Sequence, residues 1–416
     1  MTQQEIRGTG GPACPTGRHR ILEVDALRGF ALGGIFLSNV LVMAGIDGQR
    51  AGGPQTSGID LVAVWLVTVL VQSKFYLLFS FLFGYSFTLQ MASAARAGAR
   101  FAPRMLRRLL GLFVLGLLHA ALLYTGDILT MYAVLGLVLL ACRNTAPERA
   151  LRAALRVYGV VTVLFLLLGA AGAMFPATDG EPQTQTADLA VAYRGGVADT
   201  ITANIAAWPD VLGGFFVGGG PVVVAFLIGL AAGKQHLVAD AARRPDLLRK
   251  LCVYGFAIGL PGSLFMAAGL LGPLSHRWET LGLVVGMATA PALSAAYASG
   301  LLLWFGRERG AATAARLAPA GRVALTHYLL QSLAMALLFT GYGLRLYGHP
   351  GAAVVLGGAL ALYALQIAVS APFLRRFRLG PAEWLLRALT VAGRPAVAAV
   401  ADGASVAQDT RHAAGP

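Results

Sequence analysis

Charge is what this sequence is short of. Charged residues make up 12% of its 416 positions, hydrophobic ones 57%, and the mean hydropathy is +0.68. A soluble domain carries roughly 25% charge, so this chain has too little to cover a surface that faces water. Lysine is scarcer still: only Lys74, Lys234 and Lys250 stand beside 30 arginines. With the abundance of alanine and glycine, that looks like the coding bias of a GC-rich bacterial genome. The three cysteines, Cys14, Cys142 and Cys252, are odd in number and lack metal-like spacing, which argues against a disulfide scaffold and against a thiolate metal centre. No serine elbow, phosphate-binding glycine loop or haem pattern is present. No segment forms a soluble domain that could host ATP chemistry. The expectation is therefore no metal and no bound cofactor.

What the sequence has instead is long apolar runs. Ten of them, at 27–44, 75–92, 106–124, 128–142, 154–174, 211–232, 251–271, 281–305, 323–342 and 352–373, approach the ~20 residues that a helix needs to cross a bilayer. A further run, 59–72, is too short to span comfortably and reads as an interfacial or re-entrant piece. Residues 1–20 and 395–416 read as disordered tails around a folded part at 21–394, and no cleavable signal peptide is evident. The fold class is then all-α: a polytopic membrane bundle with the lipid bilayer as its first partner. The charges orient it. Of the 33 Lys and Arg, 28 fall in the two tails and in alternate loops, and only Arg50, Lys74, Arg194, Arg277 and Arg345 fall on the other face. The positive-inside rule places both termini in the cytoplasm. The same distribution explains the net charge of +14 without a nucleic-acid partner. On the outer face the longest loop, 175–210, is acidic, with Asp179, Glu181, Asp188, Asp199 and Asp210 against Arg194. A loop of that length with its own Trp208-Pro209 is more often functional or partly ordered than a linker. No internal repeat of the transporter kind is evident. Small-residue pairs such as Gly29–Gly33, Gly214–Gly218 and Gly255–Gly259 permit close helix contacts.

Ionisable groups at membrane depth are costly and usually mark a site. Asp25 and Arg28 open the first segment on one helical face, either as a cap and a snorkelling cation or as an anchor for a phosphorylated ligand. Asn39 lies eleven residues beyond Arg28, roughly 16 Å along the helix at ~1.5 Å per residue. It is either interhelical glue or an oxyanion donor. His119 falls about one to two turns below the outer surface, with Asp127 on the turn that follows. A histidine oriented by a carboxylate is a natural general base. The plainer alternative is an interhelical hydrogen bond, with Asp127 capping the next helix. Lys74 reads first as a snorkelling interfacial lysine and second as an oxyanion partner. His327 and Gln331 share a face near the cytoplasmic side, where Arg322 brings them towards Asp25 and Arg28.

Four stretches together resemble a known family: Val24-Asp25-Ala26-Leu27-Arg28-Gly29-Phe30-Ala31 with Asn39; Lys74-Phe75-Tyr76 leading to Phe79-Ser80-Phe81-Leu82-Phe83-Gly84-Tyr85; Gly116-Leu117-Leu118-His119 with Gly126-Asp127-Ile128-Leu129-Thr130-Met131-Tyr132-Ala133; and Gly321-Arg322-Val323-Ala324-Leu325-Thr326-His327-Tyr328-Leu329-Leu330-Gln331-Ser332, continued by Phe377-Arg378-Leu379-Gly380-Pro381-Ala382-Glu383-Trp384. Across about 21–394 the chain resembles the YeiB-like membrane proteins, whose C-terminal half, about 235–394 here, is domain of unknown function 418. The resemblance implies a multi-pass protein of the bacterial cytoplasmic (inner) membrane. It also implies kinship with transmembrane acyltransferases, including the lysosomal heparan glucosaminide acetyltransferase, which acylate an acceptor across the membrane from acyl-CoA.

The expected function is accordingly acyl transfer. Acyl-CoA as co-substrate would bind near Arg28 and Arg322, with Asp25, Lys74, His327 and Gln331 as further binding residues. His119, Asp127 and Asn39 would be catalytic, and a small molecule or glycan the outer acceptor. A transporter or exporter of a small polar or amphipathic solute is the alternative, and a non-catalytic membrane subunit a third. A homo-oligomer is compatible with any of these.

Overall fold

A backbone surrounded by lipid must satisfy its own hydrogen bonds, and a helix does so within one segment. The computed structural model describes residues 21–46, 58–174 and 183–391, and among these all regular structure is helical. The expected tails, Arg50, Asp179 and Glu181 lie outside the described residues. The order is α1 (Leu22–Met43), α2 (Gly58–Leu70), α3 (Lys74–Arg96), α4 (Phe101–Leu122), α5 (Leu129–Ala141), α6 (Pro147–Met174), α7 (Gln183–Arg194), α8 (Val197–Ala206), α9 (Trp208–Lys234), α10 (Pro245–Leu271), α11 (Glu279–Phe305), α12 (Glu308–Arg322), α13 (Ala324–Phe339), α14 (Ala352–Arg376) and α15 (Pro381–Val391).

Each of the ten expected segments coincides with a helix. Seven helical stretches among the described residues are long and apolar enough to cross a membrane, and nine if each of two bent pairs is one span. The remaining apolar stretch, Leu129–Asn144, is short. The lipid side is plain from exposure: Leu110, Val160, Val253 and Val354 are each more than 60% exposed. Large apolar side chains so displayed need a surrounding of hydrocarbon.

The short run expected to be interfacial or re-entrant is joined to the helix that follows it. Its helix, α2, continues into α3 across a break at Val71–Ser73, and Gly58–Arg96 reads as one stretch. The break frees carbonyls inside the bundle, and side chains recover them. Lys74 Nζ donates to Thr68 O at 2.9 Å and Tyr297 Oη to Leu70 O at 2.8 Å, while Ser294 Oγ adds a bond to Lys74 O, the first carbonyl of α3, at 2.7 Å. This corrects the snorkelling reading of Lys74, which is fully buried because a freed carbonyl is its partner.

The loop 175–210, expected on the outer face, is also ordered where described. Its helices α7 and α8 dock on the bundle: Arg194 Nε donates to Tyr347 O at 2.7 Å and Asn204 Nδ2 to Ala121 O at 3.1 Å. Thr200 and Asn204 are buried.

At the opposite end α12 meets α13 at a 73° bend. The first N–H groups of α13 have no partner within their own helix. Glu383 of α15 supplies one. Its Oε1 accepts from Leu325 N at 2.7 Å and Thr326 N at 3.1 Å, and its Oε2 from Thr326 Oγ1 at 2.5 Å. Beside this joint α1 crosses α12 at Gly29 and Gly321. A Cβ on Gly29 would lie 2.5 Å from Leu317 O, so only glycine allows the approach that brings Arg28 near Arg322. Of the other glycine pairs, Gly255 and Gly259 lie on the α10–α11 contact, while a Cβ on Gly214 or Gly218 would meet nothing within 4 Å among the described residues.

Candidate active site

At the α12–α13 bend, α1, α3, α4, α5, α13 and α15 leave a cavity of about 200 Å³. Its mouth is polar: Arg28, Arg108, Arg322, Ser86, Gln90 and Glu383 line it. Asp25 is not a helix cap, because α1 starts at Leu22. It sits one turn in and pairs with Arg28, Nη1 to Oδ1 at 2.7 Å, while Arg28 Nη2 donates to Ser86 Oγ. The Nε atoms of Arg108 and Arg322 are buried with no hydrogen-bond partner among the described residues. Buried donors without a partner are costly, and guanidinium groups around one mouth suit a bidentate anion such as phosphate.

Behind the mouth the walls are apolar, formed by Leu32, Ile35, Phe79, Phe83, Leu112 and Tyr132. Tyr328 is on the lining, and its ring packs 4.8 Å, centroid to centroid, from the ring of His119. His119 lies in the last turn of α4 and is 2% exposed. Its Nδ1 is 2.9 Å from Asp127 Oδ1, and its Nε2 is 2.8 Å from Ser332 Oγ on α13. Asp127 serves both roles weighed from the sequence: Oδ2 accepts from Thr130 N at 2.7 Å, capping α5, and Oδ1 faces the imidazole. Gly116 makes the room, since a Cβ there would lie 2.6 Å from Asp127 Oδ2.

The remaining expected residues sit elsewhere. His327 and Gln331 face α14: His327 Nε2 is 2.7 Å from Ser370 Oγ, and Gln331 Nε2 donates to Gln366 Oε1 at 2.8 Å. Neither lines the cavity. Lys74 is at the α2–α3 break, and Asn39 is half-buried farther along α1, away from the lining. Four residues escaped sequence reasoning: Arg108, Glu383, Tyr328 and Ser332. In the sequence Arg108 is simply one of the 28 basic residues on one face. Tyr328 and Ser332 are four apart on one helix face, a spacing that was legible but has no meaning until His119 is known to face it.

The similarity to known proteins fits this placement. Residues 232–393 match the family described as "Protein of unknown function (DUF418)". The "Uncharacterized protein YxaH" of Bacillus subtilis (strain 168) is 30% identical over 396 residues, covering 89% of this chain and 94% of that protein. The chain belongs to the YeiB-like DUF418 family. Two further relatives are similar over comparable lengths. The "Uncharacterized protein YeiB" of Escherichia coli (strain K12) is 28% identical, with 91% of this chain and 98% of that protein covered. The "Uncharacterized 39.9 kDa protein in amylase 3'region" of Bacillus acidopullulyticus is 28% identical, with 89% and 94% covered. The likeness therefore extends well beyond residues 232–393 and takes in most of the N-terminal half.

Proposed function

We propose that this DUF418 protein is a transmembrane acyltransferase of the bacterial inner membrane. It takes an acyl group from an acyl-CoA-type donor in the cytoplasm and passes it to a hydroxyl or amine of a small molecule or glycan on the outer side. In this reading α5 and both bent pairs count as spans. The 28 basic residues on one face then set both termini and the arginine mouth in the cytoplasm. One observation carries the proposal: a single cavity starts at Arg28, Arg108 and Arg322, runs between apolar walls and ends at Tyr328, against His119. Anion-binding groups at one end, an apolar throat and a carboxylate-oriented imidazole at the other match the donor's phosphates, its arm and the reacting carbonyl in that order. At about 200 Å³ the throat is smaller than the ~300–1,000 Å³ of drug-sized ligand pockets. It suits a slender arm, with the nucleotide left at the mouth. A path for a polar solute would want polar groups along its length, and the middle of this one is apolar.

The test is direct. The full-length protein in detergent is given acetyl-CoA or palmitoyl-CoA, and binding is followed by thermal shift. In parallel the lipids and metabolites of a deletion strain are compared with those of its parent. Stabilisation by a thioester, together with loss of a product heavier by one acyl group, is the expected result. Absence of both would overturn the proposal.

A further inference from the structure

Seven serines are buried in the described helices: Ser80, Ser86, Ser263, Ser294, Ser299, Ser332 and Ser370. Six of them donate their hydroxyl to the carbonyl four residues back, the ordinary way for a serine to satisfy itself in an apolar helix. Among the described residues Ser332 is the exception. Its Oγ has one hydrogen-bond partner, Nε2 of His119, at 2.8 Å.

What stands behind that imidazole decides its meaning. Nδ1 of His119 is 2.9 Å from Asp127 Oδ1, a close contact of the two groups that lies outside hydrogen-bond geometry. A carboxylate oxygen accepts, and in the proposed tautomer the ring hydrogen is on Nδ1, on the carboxylate side. Nε2 then presents its lone pair to the Ser332 hydroxyl. Asp127 is in turn fixed by Thr130 N. Hydroxyl, imidazole and carboxylate thus come in sequence from α13, α4 and the start of α5, which is the arrangement that activates a serine. The same molecule holds a contrast. His327 also meets a buried serine, Ser370, at 2.7 Å, but Ser370 donates to Gln366 O, and among the described residues no carboxylate lies at ion-pair distance from this imidazole as Asp127 does from His119.

The geometry points to Ser332 as a nucleophile that carries the acyl group between donor and acceptor. This rests on the acyltransferase reading above. Ser332 Oγ attacks the thioester carbonyl as its proton passes to His119 Nε2. The C–S bond breaks, the sulfur takes that proton and leaves as the thiol, and an ester remains on Ser332. In the second half the acceptor hydroxyl or amine gives its proton to His119 and attacks the ester carbonyl. Ser332 Oγ leaves and recovers the proton. Tyr328, one turn earlier on the same face, lines the cavity and so stands between it and Ser332.

The full-length protein in detergent is incubated without acceptor, using acetyl-CoA and palmitoyl-CoA labelled in the acyl group. Free thiol and protein-bound label are followed, and the label is mapped by peptide. The expected result is a burst of thiol matching one label per chain, on the peptide that holds Ser332. Ser332→Ala should abolish burst and label while still binding donor. Ser332→Cys keeps a nucleophile of similar size and should bring back a label now released by hydroxylamine. His119→Ala should slow labelling by roughly 10²-fold or more. Acyl transfer to product that continues in Ser332→Ala, or label mapped to another residue, would overturn the serine while leaving the acyltransferase reading intact. Failure of the parent protein to bind or consume either donor would overturn both.

Discussion

His119 is the residue on which most of the proposed chemistry turns, and its surroundings allow catalytic and structural roles to be separated. If it is the base, His119→Ala lowers turnover by roughly 10²–10⁴-fold with insertion and donor binding preserved. Asp127→Asn is milder, because the imidazole remains and only its orientation suffers. If it merely bonds Ser332, His119→Gln keeps a hydrogen-bonding group there and function survives, which would defeat the catalytic role. At the other end of the cavity the arginines are expected to act on binding. Arg108 and Arg322 each bury an Nε without a partner among the described residues. Arg322→Lys keeps the charge but not the planar fork. Weaker donor binding in a titration, with turnover of bound donor little changed, is the expected outcome. An unchanged Kd would remove phosphate binding from Arg322's role. His119, Asp127, Arg28 and Arg322 were legible in the sequence because an ionisable group in an apolar run stands out. It could not find Ser332, because serine in a membrane helix is common and usually satisfies itself; only the fold reveals that this one does not. His327 was conspicuous by the same criterion, yet it faces Ser370 on α14 and not the cavity.

At the scale of elements, two contacts hold the site. The first is Gly116, where α4 accepts the start of α5 so closely that a Cβ would lie 2.6 Å from both Asp127 Oδ2 and Thr130 N. Gly116→Ala should push Asp127 away from His119. Turnover is expected to fall while donor affinity, set at the far end of the cavity, stays the same; loss of affinity instead would mean that the two ends are not separate. The second is Glu383, which caps α13 from α15. Removing a cap costs about 0.5–2 kcal/mol, so Glu383→Ala should lower the melting temperature and loosen the cavity mouth. A melting temperature equal to that of the parent would show that α15 is not needed to hold α13. Neither contact was visible from the sequence. The periodic apolar runs marked the helices well, since lipid allows few other forms, but contacts between residues 58 positions apart, such as Leu325 and Glu383, leave no local trace. For the run at 59–72, length alone could not reveal that α2 continues into α3, nor that Lys74 and Tyr297 donate to carbonyls of the last turn of α2.

For the whole molecule the argument depends on which end faces the cytoplasm, because an acyl-CoA donor is available only there. The charge distribution makes a definite statement. Arg96, Arg100, Arg104, Arg107 and Arg108 crowd the α3–α4 end, and Arg307, Arg309, Arg316 and Arg322 crowd α12, whereas the α13–α14 connection has Arg345 alone. Ala99 and Ala311 should therefore be cytoplasmic and His349 external. Gly348 would be a poor position to modify, because its φ of +71° suits glycine, while the neighbouring His349 is exposed. In a background with Cys14, Cys142 and Cys252 replaced by serine, a membrane-impermeant thiol reagent applied to intact cells should label His349→Cys. It should reach Ala99→Cys and Ala311→Cys only after the membrane is opened. The arginine mouth is joined to the same end through α12 and the Gly29–Gly321 crossing, so labelling at Ala311 reports on the mouth as well. External labelling of Ala311→Cys would place Arg322 outside, away from any acyl-CoA, and would remove the donor from the proposed reaction even if the His119 cluster proved active. Protection of both inner positions, with labelling of His349, would leave a donor mouth on the cytoplasmic side and the catalytic cluster deep within the bundle, beneath the docked α8.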